Sequence, residues 1–423
     1  MDQTHLLVSH LIEKMEKLIS KIVGKDKGRQ FKFYLDMVYG ILKSKSIVLN
    51  DIAHSLNEDI SLKKVNERLY TNLMRIPDIN ERHNLIKVGL AYMRETEKVF
   101  IIDDTDVMKP YGKAFEGMGN VRDASYPGES TKYDHGYIVT TITGLSSKKK
   151  QPIPLYDHVH SPNELDYLSV NNITNIGIRR ISEHLKPHEG MFVADRGYDD
   201  SKFMTLIDEL GQYFLVRMRI NRNLWFGNSK IKAFDKAKKF KGKVIVPITI
   251  YAKERYIKAN AFKCRIGGFQ KDIYVVISYI DNNDEPMILV TNKPLLTKDD
   301  IIQMVYRYSS RWRIEEYFRF KKVELGFESF RVKTLDSINN LTFALDLVIM
   351  LLSIIIDEES NYLYYEIRKH EKSIKENVSI EFYRILSGIT TILGTNKKGV
   401  KNYKPIERRI PKQLSLFKIK DFD

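Results

Sequence analysis

The sequence contains a single cysteine, Cys264, in 423 residues. One thiol excludes a disulfide framework and a zinc site built from several cysteines, and it is typical of a protein from a reducing compartment. Acidic residues are also under-represented, with 54 Asp and Glu against 69 Lys and Arg. The resulting net charge of +15 favours an anionic partner such as nucleic acid.

The chain also lacks a signal-peptide pattern and an apolar run as long as a membrane span. Its N-terminus, MDQTHLLVSHLIEKMEK, is amphipathic and mixed in charge, without the basic start and apolar core of a signal peptide. The most apolar stretch, Leu341 to Ile356, is short and contains Asp346, so it predicts a buried helix. We therefore expect a cytoplasmic protein with no membrane contact.

Residues 1–92 carry the apolar spacing of helices, which predicts an all-helical N-terminal domain. The segments SIVLNDIAHSL and SLKKVNERLYTNL resemble a helix-turn-helix, which would bring Lys63, Lys64 and Arg68 to the backbone of DNA. Any helical bundle contains such pairs of helices, so a bundle without DNA contacts is the alternative.

The pattern changes after residue 92. Residues 93–220 read as three strands followed by helix, strand, helix and strand, which predicts a mixed α/β sheet covered by helices. Residues 221–286 read as consecutive strands and form a β-rich insertion. Residues 287–365 return to the interrupted unit, and 366–423 form a basic C-terminal region.

A helix is expected to begin after Thr297, because Thr297 and Asp300 have the spacing of a capping box. This helix carries a stripe of polar side chains. At about 100° per residue, four side chains fall within roughly 60° of one another: Tyr308, Arg311, Glu315 and Lys322. The first and last would lie about 21 Å apart, which suits a long anionic polymer better than a small substrate. A solvated helix face with arbitrary charges is the alternative.

Two apolar strands end in acidic residues, at Asp103-Asp104 and at Asp195. Together with Glu315 they form a candidate oxygen-rich cluster, and hard divalent cations such as Mg²⁺ prefer carboxylate ligands. A pair of such cations activates the attacking oxygen and stabilises the leaving oxygen in phosphodiester chemistry. Each acid alone is more readily explained as the cap of a turn, so the prediction rests on their joint occurrence.

The spacing Tyr308-x2-Arg311-x3-Glu315-x6-Lys322 resembles the YREK signature of bacterial insertion-sequence transposases of the DDE group, in insertion-sequence family four. The segments IDDTDVMKPYGK and VADRGYDD resemble those that carry the first and second catalytic aspartates of that family. The β-rich insertion and the helical N-terminal region are also family features. The resemblance therefore covers nearly the whole chain.

This resemblance implies a ribonuclease-H-like α/β core and a nucleoid-associated enzyme that binds terminal inverted repeats. Its implied partners are double-stranded DNA, as transposon ends and target, and a second copy of the chain in the DNA complex. The implied reactions are DNA cleavage and strand transfer with Mg²⁺, or with Mn²⁺ in its place. A structure-specific nuclease on the same fold and a non-catalytic DNA-binding descendant are the rival functions.

By the same resemblance, Asp104, Asp195 and Glu315 are the catalytic and metal-binding residues. Neighbouring strand residues face opposite sides, so only one of Asp103 and Asp104 should face the metal. Asp104, the residue just before Thr105, matches the position of the first catalytic aspartate in the family and is the expected ligand. Asp106 lies two residues after Asp104, so its side chain should face the same side of the strand, and it is a further candidate.

Tyr308, Arg311 and Lys322 match family positions that hold DNA near the cleaved bond. Trp312 and Trp225 are candidates for stacking on an extruded base, with core packing as the favoured alternative. His158 and His160 share a strand face and are candidate metal ligands, but a solvated strand is the stronger expectation.

Overall fold

The structure is a computed structural model of the chain. It describes residues 3–75, 79–112, 114–122, 133–240, 242–250, 253–280, 285–358, 362–372, 381–397 and 399–400. Of the basic C-terminal region expected at 366–423, the residues after 400 therefore lie outside the described part.

The N-terminal region is helical, as the apolar spacing predicted. It contains five described helices: α1 (Gln3–Ile22), α2 (Gly28–Ser44), α3 (Leu49–Ser55), α4 (Leu62–Leu73) and α5 (Ile79–Ala91). The helices α3 and α4 pack against each other across a short turn, and α2 is buried from Phe33 to Leu42. The two helices of the expected pair are therefore both present.

The next region alternates strands and helices. Its elements are β1 (Lys98–Met108), β2 (Gly119–Arg122), β3 (Tyr133–Leu145), β4 (Pro152–His160), α6 (Val170–Ser182), β5 (Gly190–Ala194), α7 (Ser201–Glu209) and β6 (Tyr213–Arg217). This is the predicted order, with the short strand β2 added. Gly211 has a φ of +70°, a conformation that favours glycine, and it ends the turn after α7.

A strand-rich segment follows β6. It contains β7 (Asn223–Phe226), β8 (Ser229–Lys232), α8 (Ala233–Lys239), β9 (Val244–Ile250), β10 (Lys253–Ile266) and β11 (Ile273–Ile280), and β12 (Met287–Thr291) leads back to the core. The hairpin β7–β8 and the short helix α8 precede the three long strands that the sequence pattern indicated.

All twelve described strands belong to one sheet. Its main order is β2-β3-β1-β5-β6-β12-β11-β10-β7-β8, with β4 beside β3 and β9 beside β10. The pairs β1–β5 and β5–β6 are parallel, and the other pairs are antiparallel. The strand-rich segment thus extends the core sheet through β12 instead of forming a separate one.

The last described helices are α9 (Lys298–Ser309), α10 (Arg313–Arg319), α11 (Leu335–Asp357), α12 (Tyr362–Lys369) and α13 (Phe382–Gly394). The expected capping box at the start of α9 is confirmed, since the Thr297 and Asp300 side chains each accept from the other residue's backbone N–H. The helix α9 lies over β9 and β10.

The helix α11 contains the most apolar stretch of the chain. It is the one helix in the described part that is long and apolar enough to span a membrane, but it is buried inside the protein. It packs against β4 and α2, so the predicted buried helix is confirmed. Asp346 of α11 is 2% exposed and lies 3.4 Å from the Lys321 ammonium, which also binds Asp157 of β4.

Candidate active site

The pairing between the parallel strands β1 and β5 stops where β5 ends, in the middle of β1. They are paired in register up to Ile102 and Ala194, and the next residue on each strand is an aspartate, Asp103 and Asp195. Residues at matching positions of neighbouring strands point to the same face of a sheet. The two carboxylates therefore stand next to each other, on the face whose apolar cluster contains Val193 of β5 and Val305 of α9.

Arg311 connects this strand end to α10. Its Nη1 donates to Oδ2 of Asp103 at 2.8 Å, and its Nη2 donates to Oε1 of Glu315 at 2.7 Å. The Arg311 side chain is 17% exposed, whereas that of Glu315 is 53% exposed. One guanidinium thus joins a half-buried strand carboxylate to a solvent-facing helix carboxylate.

The pKa of the Asp103 carboxyl is strongly shifted by its surroundings. Burial raises the pKa of Asp103 to about 7; Arg311 opposes this rise, and the negative charges of Asp195 and Asp104 add to it. Acids that raise one another's pKa in this way have an excess of negative charge that a bound cation relieves.

Asp104 points to the opposite face of β1. Its Oδ1 accepts from Thr140 Oγ1 of the neighbouring strand β3 at 2.6 Å, and its Oδ2 accepts from the Tyr198 hydroxyl at 2.6 Å. Burial raises the pKa of Asp104, and these two hydrogen bonds oppose the rise. The structure therefore brings Asp103, and not the expected Asp104, together with the Arg311 bridge. The two aspartates face opposite sides of the strand, as the alternation along it predicted, and the metal-binding role of Asp104 stays a prediction from the match at Thr105.

No three His, Cys, Asp or Glu side chains in the described part lie close enough together to hold a metal ion as they stand. The position of Arg311 explains the separation, because its guanidinium lies between Asp103 and Glu315. The two carboxylates that bind Arg311, with Asp195 near Asp103, are ligands of the kind that a divalent cation prefers. The candidates for holding a metal are thus Asp103 or the predicted Asp104, together with Asp195 and Glu315.

The polar stripe differs from a continuous solvent-facing helix. A 3-10 turn, Ser310–Trp312, separates α9 from α10, and a π-helical turn, Phe320–Glu324, follows α10. Tyr308 is only 8% exposed, and Lys322 donates to the backbone oxygen of Asp106 and binds Glu328 at 3.0 Å. The stripe therefore faces the acidic end of β1 in this state of the protein.

The three cationic residues predicted in α4 have different surroundings. The Lys63 and Lys64 side chains are exposed, and the Lys63 ammonium is 4.0 Å from Glu67. Arg68 instead binds Glu58 at 2.6 Å and Asp36 at 3.0 Å. Two of the three side chains are accessible to DNA, and the third is held inside an ion-pair network.

The candidate aromatic residues are separated in the fold. Trp312 is half-buried in the 3-10 turn and lines a cleft of about 410 Å³ together with Tyr306 and Arg313. Trp225 is half-buried in β7, with the Lys230 ammonium 5.6 Å from its ring centroid. The structure does not bring the two tryptophans together with the carboxylates in one described cluster.

The expectation of a solvated strand at His158 and His160 was wrong. Burial lowers the pKa of His158 to about 3 and that of His160 to about 4, and the two rings stack with centroids 6.1 Å apart. The face of β4 that carries them is covered, because α6 packs against this strand and the Tyr167 ring stacks on His160.

Sequence reasoning missed several residues of the site. Tyr198 and Thr140 hold Asp104, and continuing the β5–β6 register places Arg217 beside Asp195. Arg196 follows Asp195 directly, and its Nε is buried without a hydrogen-bond partner among the described residues. A signal existed for Tyr198 and Arg196, since both lie in the segment VADRGYDD that carries Asp195.

The comparison with known proteins gives one family. A model of the transposase DDE domain matches residues 94–352. No curated protein matches the chain. Among solved structures, the cryo-EM structure of a piggyBac transposase synaptic complex with hairpin DNA is similar over 95% of this chain and 86% of that one, at 12% sequence identity and a TM-score of 0.42.

Proposed function

Because the chain belongs to the transposase DDE domain family, we propose that it is a DNA transposase that binds the terminal inverted repeats of an insertion sequence, cuts there and joins the ends to new DNA. The proposal rests on one observation above all. Arg311 ties Asp103 to Glu315, at a strand end where Asp195 stands beside Asp103.

We assign the metal-binding carboxylates to Asp103, Asp195 and Glu315, with Mg²⁺ as the natural cation and Mn²⁺ as its substitute. Divalent cations held in this way activate the attacking oxygen and stabilise the leaving oxygen of a phosphodiester. Asp103 must lose its proton to act as a ligand, since its pKa is about 7 in the metal-free protein. The family resemblance proposes Asp104 in this role instead, and Asp103→Asn and Asp104→Asn variants in the cleavage assay distinguish the two assignments.

The cations of the polar helix are proposed to hold the DNA. A phosphate beside the scissile bond would compete with the two carboxylates for the Arg311 guanidinium and could be bound by it in a bidentate manner. Lys322 sits beside the same strand end, and Tyr308 supports Arg311 from the buried side. Lys63 and Lys64 add contacts to the DNA backbone from α4.

We further propose that the core is ribonuclease-H-like and that the enzyme works as a dimer on two DNA ends. The order β4-β3-β1-β5-β6, three antiparallel strands followed by two parallel ones, supports this core. The net charge of +15 supports DNA as the partner. With DNA as its substrate, the enzyme is expected to act in the cytoplasm, at the nucleoid.

The test uses the full chain and a labelled DNA end with Mg²⁺. Asp103→Asn and Glu315→Gln should each slow cleavage by about a thousandfold or more, since a lost metal contact removes several kcal/mol of transition-state stabilisation. Binding of the end in a gel shift should stay near the wild-type value. Glu316→Gln, the neighbouring acid on α10, is the matched control and should cut normally.

Two results would contradict the proposal. A Glu315→Gln variant that cuts at the wild-type rate would remove Glu315 from the metal site. A wild-type enzyme that cuts but never produces joined strands would be a nuclease and not a transposase.

A further inference from the structure

Buried polar contacts hold the helical segment that carries Glu315. The Lys321 ammonium binds the Asp157 carboxylate of β4, and the Tyr317 hydroxyl donates to the same carboxylate at 3.0 Å. Lys321 also lies 3.4 Å from Asp346 of α11. Tyr317, Lys321 and Asp157 are at most 3% exposed, so water screens these contacts little. Two side chains of one helical segment are thus bound to one point of the sheet.

Asp157 lies in the same cross-strand row as the acidic end of β1. In the sheet, Asp103 of β1 is paired with Thr141 of β3, and Thr141 is paired with Asp157 of β4. Residues paired in this way point to one face of the sheet. The Thr141 hydroxyl also donates to Asp157. Because neighbouring strands lie about 5 Å apart, Asp157 is a fixed point about 10 Å across the sheet from the aspartates of β1.

The segment is attached to this row on both sides of Glu315. Before α10 begins, Arg311 binds Asp103. After Glu315, Lys321 binds Asp157. The Arg311 side chain is 17% exposed and can exchange its carboxylate for a phosphate, whereas the Lys321 side chain is 2% exposed. The attachment to Asp157 therefore stays in place when Arg311 changes its partner.

We propose that Lys321 and Tyr317 are positioning residues, which bind Asp157 and so hold Glu315 in place over the acidic end of β1. This inference rests on the proposed function, and it holds for whichever of the two neighbouring aspartates of β1 is the ligand. Lys321 also lies in the π-helical turn, a feature that is frequent at functional sites.

Stability alone does not explain why this buried ion pair is present. Replacing such a pair by well-packed apolar side chains is often neutral for the free energy of unfolding. Position is a stronger reason, since a displacement of about 1 Å at a reacting group can slow a reaction about a hundredfold. A charged pair with one geometry fixes the helix more narrowly than apolar contacts do.

The experiment measures single-turnover cleavage of a labelled DNA end by the full chain with Mg²⁺. Tyr317→Phe removes one hydroxyl and keeps the ring, and it should lower the cleavage rate constant about tenfold while the Kd for DNA stays unchanged. A loss of folded protein would instead lower the amplitude of the cleavage phase and leave its rate constant as it is.

The matched control is Tyr156→Phe. The Tyr156 hydroxyl is also buried, and it donates to the Ile173 carbonyl at 3.3 Å, away from α10. This variant should keep the wild-type rate constant even if its melting temperature falls as far as that of Tyr317→Phe.

A double-mutant cycle tests whether the two residues act together. Lys321→Met should lower the rate constant about a hundredfold. The double variant should be no slower than Lys321→Met alone, because both side chains act through the same carboxylate. Additive losses would overturn the proposal, as would a Tyr317→Phe variant with the wild-type rate constant. If Lys321→Met does not fold, Tyr317→Phe decides alone.

Glu315→Gln in the same assay separates this inference from the proposed function. If Glu315→Gln cuts at the wild-type rate, both the role of Glu315 and the positioning role fall. If Glu315→Gln abolishes cleavage but Tyr317→Phe and Lys321→Met keep the wild-type rate constant, only the positioning role falls.

Discussion

At the scale of single residues, Arg311 has two incompatible tasks. In the structure it neutralises Asp103 and Glu315, the residues proposed to hold a divalent cation. The family resemblance instead implies a contact with DNA. Because a guanidinium and a metal ion compete for the same carboxylates, we expect that metal binding is weak until DNA draws Arg311 away.

Arg311→Ala should therefore have opposite effects on the two ligands. Without DNA it should bind Mn²⁺ about tenfold more tightly than the wild type at pH 8, because a competing positive charge is gone. It should also bind the DNA end more weakly, since a phosphate contact is lost. Arg319→Ala, which removes an exposed cation from the adjoining helix α10, is the control for Mn²⁺ titrations. Equal Mn²⁺ affinity in wild type and Arg311→Ala would contradict the competition.

The carboxyl of Asp103 gives a prediction for pH. Its pKa is raised from 3.8 to about 7 in the folded protein. Between these values the folded state holds a proton that the unfolded state has lost, so the stability contributed by this group is present below pH 4 and is lost as the pH rises through 7.

The Asp103→Asn variant has no ionisable group at this position. It should therefore not show the loss of stability that accompanies the ionisation of Asp103. The variant should melt about 1 °C above the wild type in metal-free buffer at pH 8, as a gain of about 1 kcal/mol implies for a chain of 423 residues, and should lose that advantage at pH 4. Thermal melts at both pH values measure the difference. A gain that does not change with pH would show that ionisation of Asp103 is not its cause.

At the scale of elements, the segment from Thr297 to Lys322 shows how far a sequence predicts its structure. The start of α9 was predictable, because a capping box is a local signal between Thr297 and Asp300. The alternation of strands and helices was predictable for the same reason. The π-helical turn was not, because it depends on Lys321, which reaches into the core toward Asp157 and Asp346.

The same limit applies to the candidate site. The acids at the ends of β1 and β5 were visible in the sequence as polar residues after apolar runs. Which of Asp103 and Asp104 faces α10 depends on their hydrogen-bond partners. These are Thr140 on the neighbouring strand and Arg311 in the turn before α10, and both are distant in sequence. Pattern reasoning sees alternation along a strand but not which face a distant helix will cover.

The buried Lys321 cluster yields a prediction for stability. Lys321→Met would leave Asp157 and Asp346 buried without their cation, and breaking one partner of a buried ion pair costs about 3–5 kcal/mol. Urea denaturation should show a loss of that size. Lys322→Met, whose side chain is 22% exposed against 2% for Lys321, should cost far less. Equal losses would mean that the buried network does not stabilise this turn.

At the scale of the whole molecule, the chain is held together by long-range packing. The helices α1 and α2 pack against α11 and α13, and one sheet joins the core to the strand-rich segment. The helix α4, with its two exposed lysines, is thus attached to the same body as the candidate active site. DNA binding should therefore be measured on the full chain, where both regions contribute charge.

The last prediction concerns the salt dependence of DNA binding. For B-DNA, log K falls with log salt by about 0.9 for each phosphate contact. Replacing both Lys63 and Lys64 by alanine should reduce this slope by about 2, because both side chains are exposed. Arg68→Ala should leave the slope unchanged, because Glu58 and Asp36 already neutralise Arg68, and it should lower stability instead. Fluorescence anisotropy with a labelled DNA end, from low to physiological salt, measures each slope. A reduced slope for Arg68→Ala together with an unchanged slope for the double lysine variant would reverse this assignment and place Arg68 on the DNA.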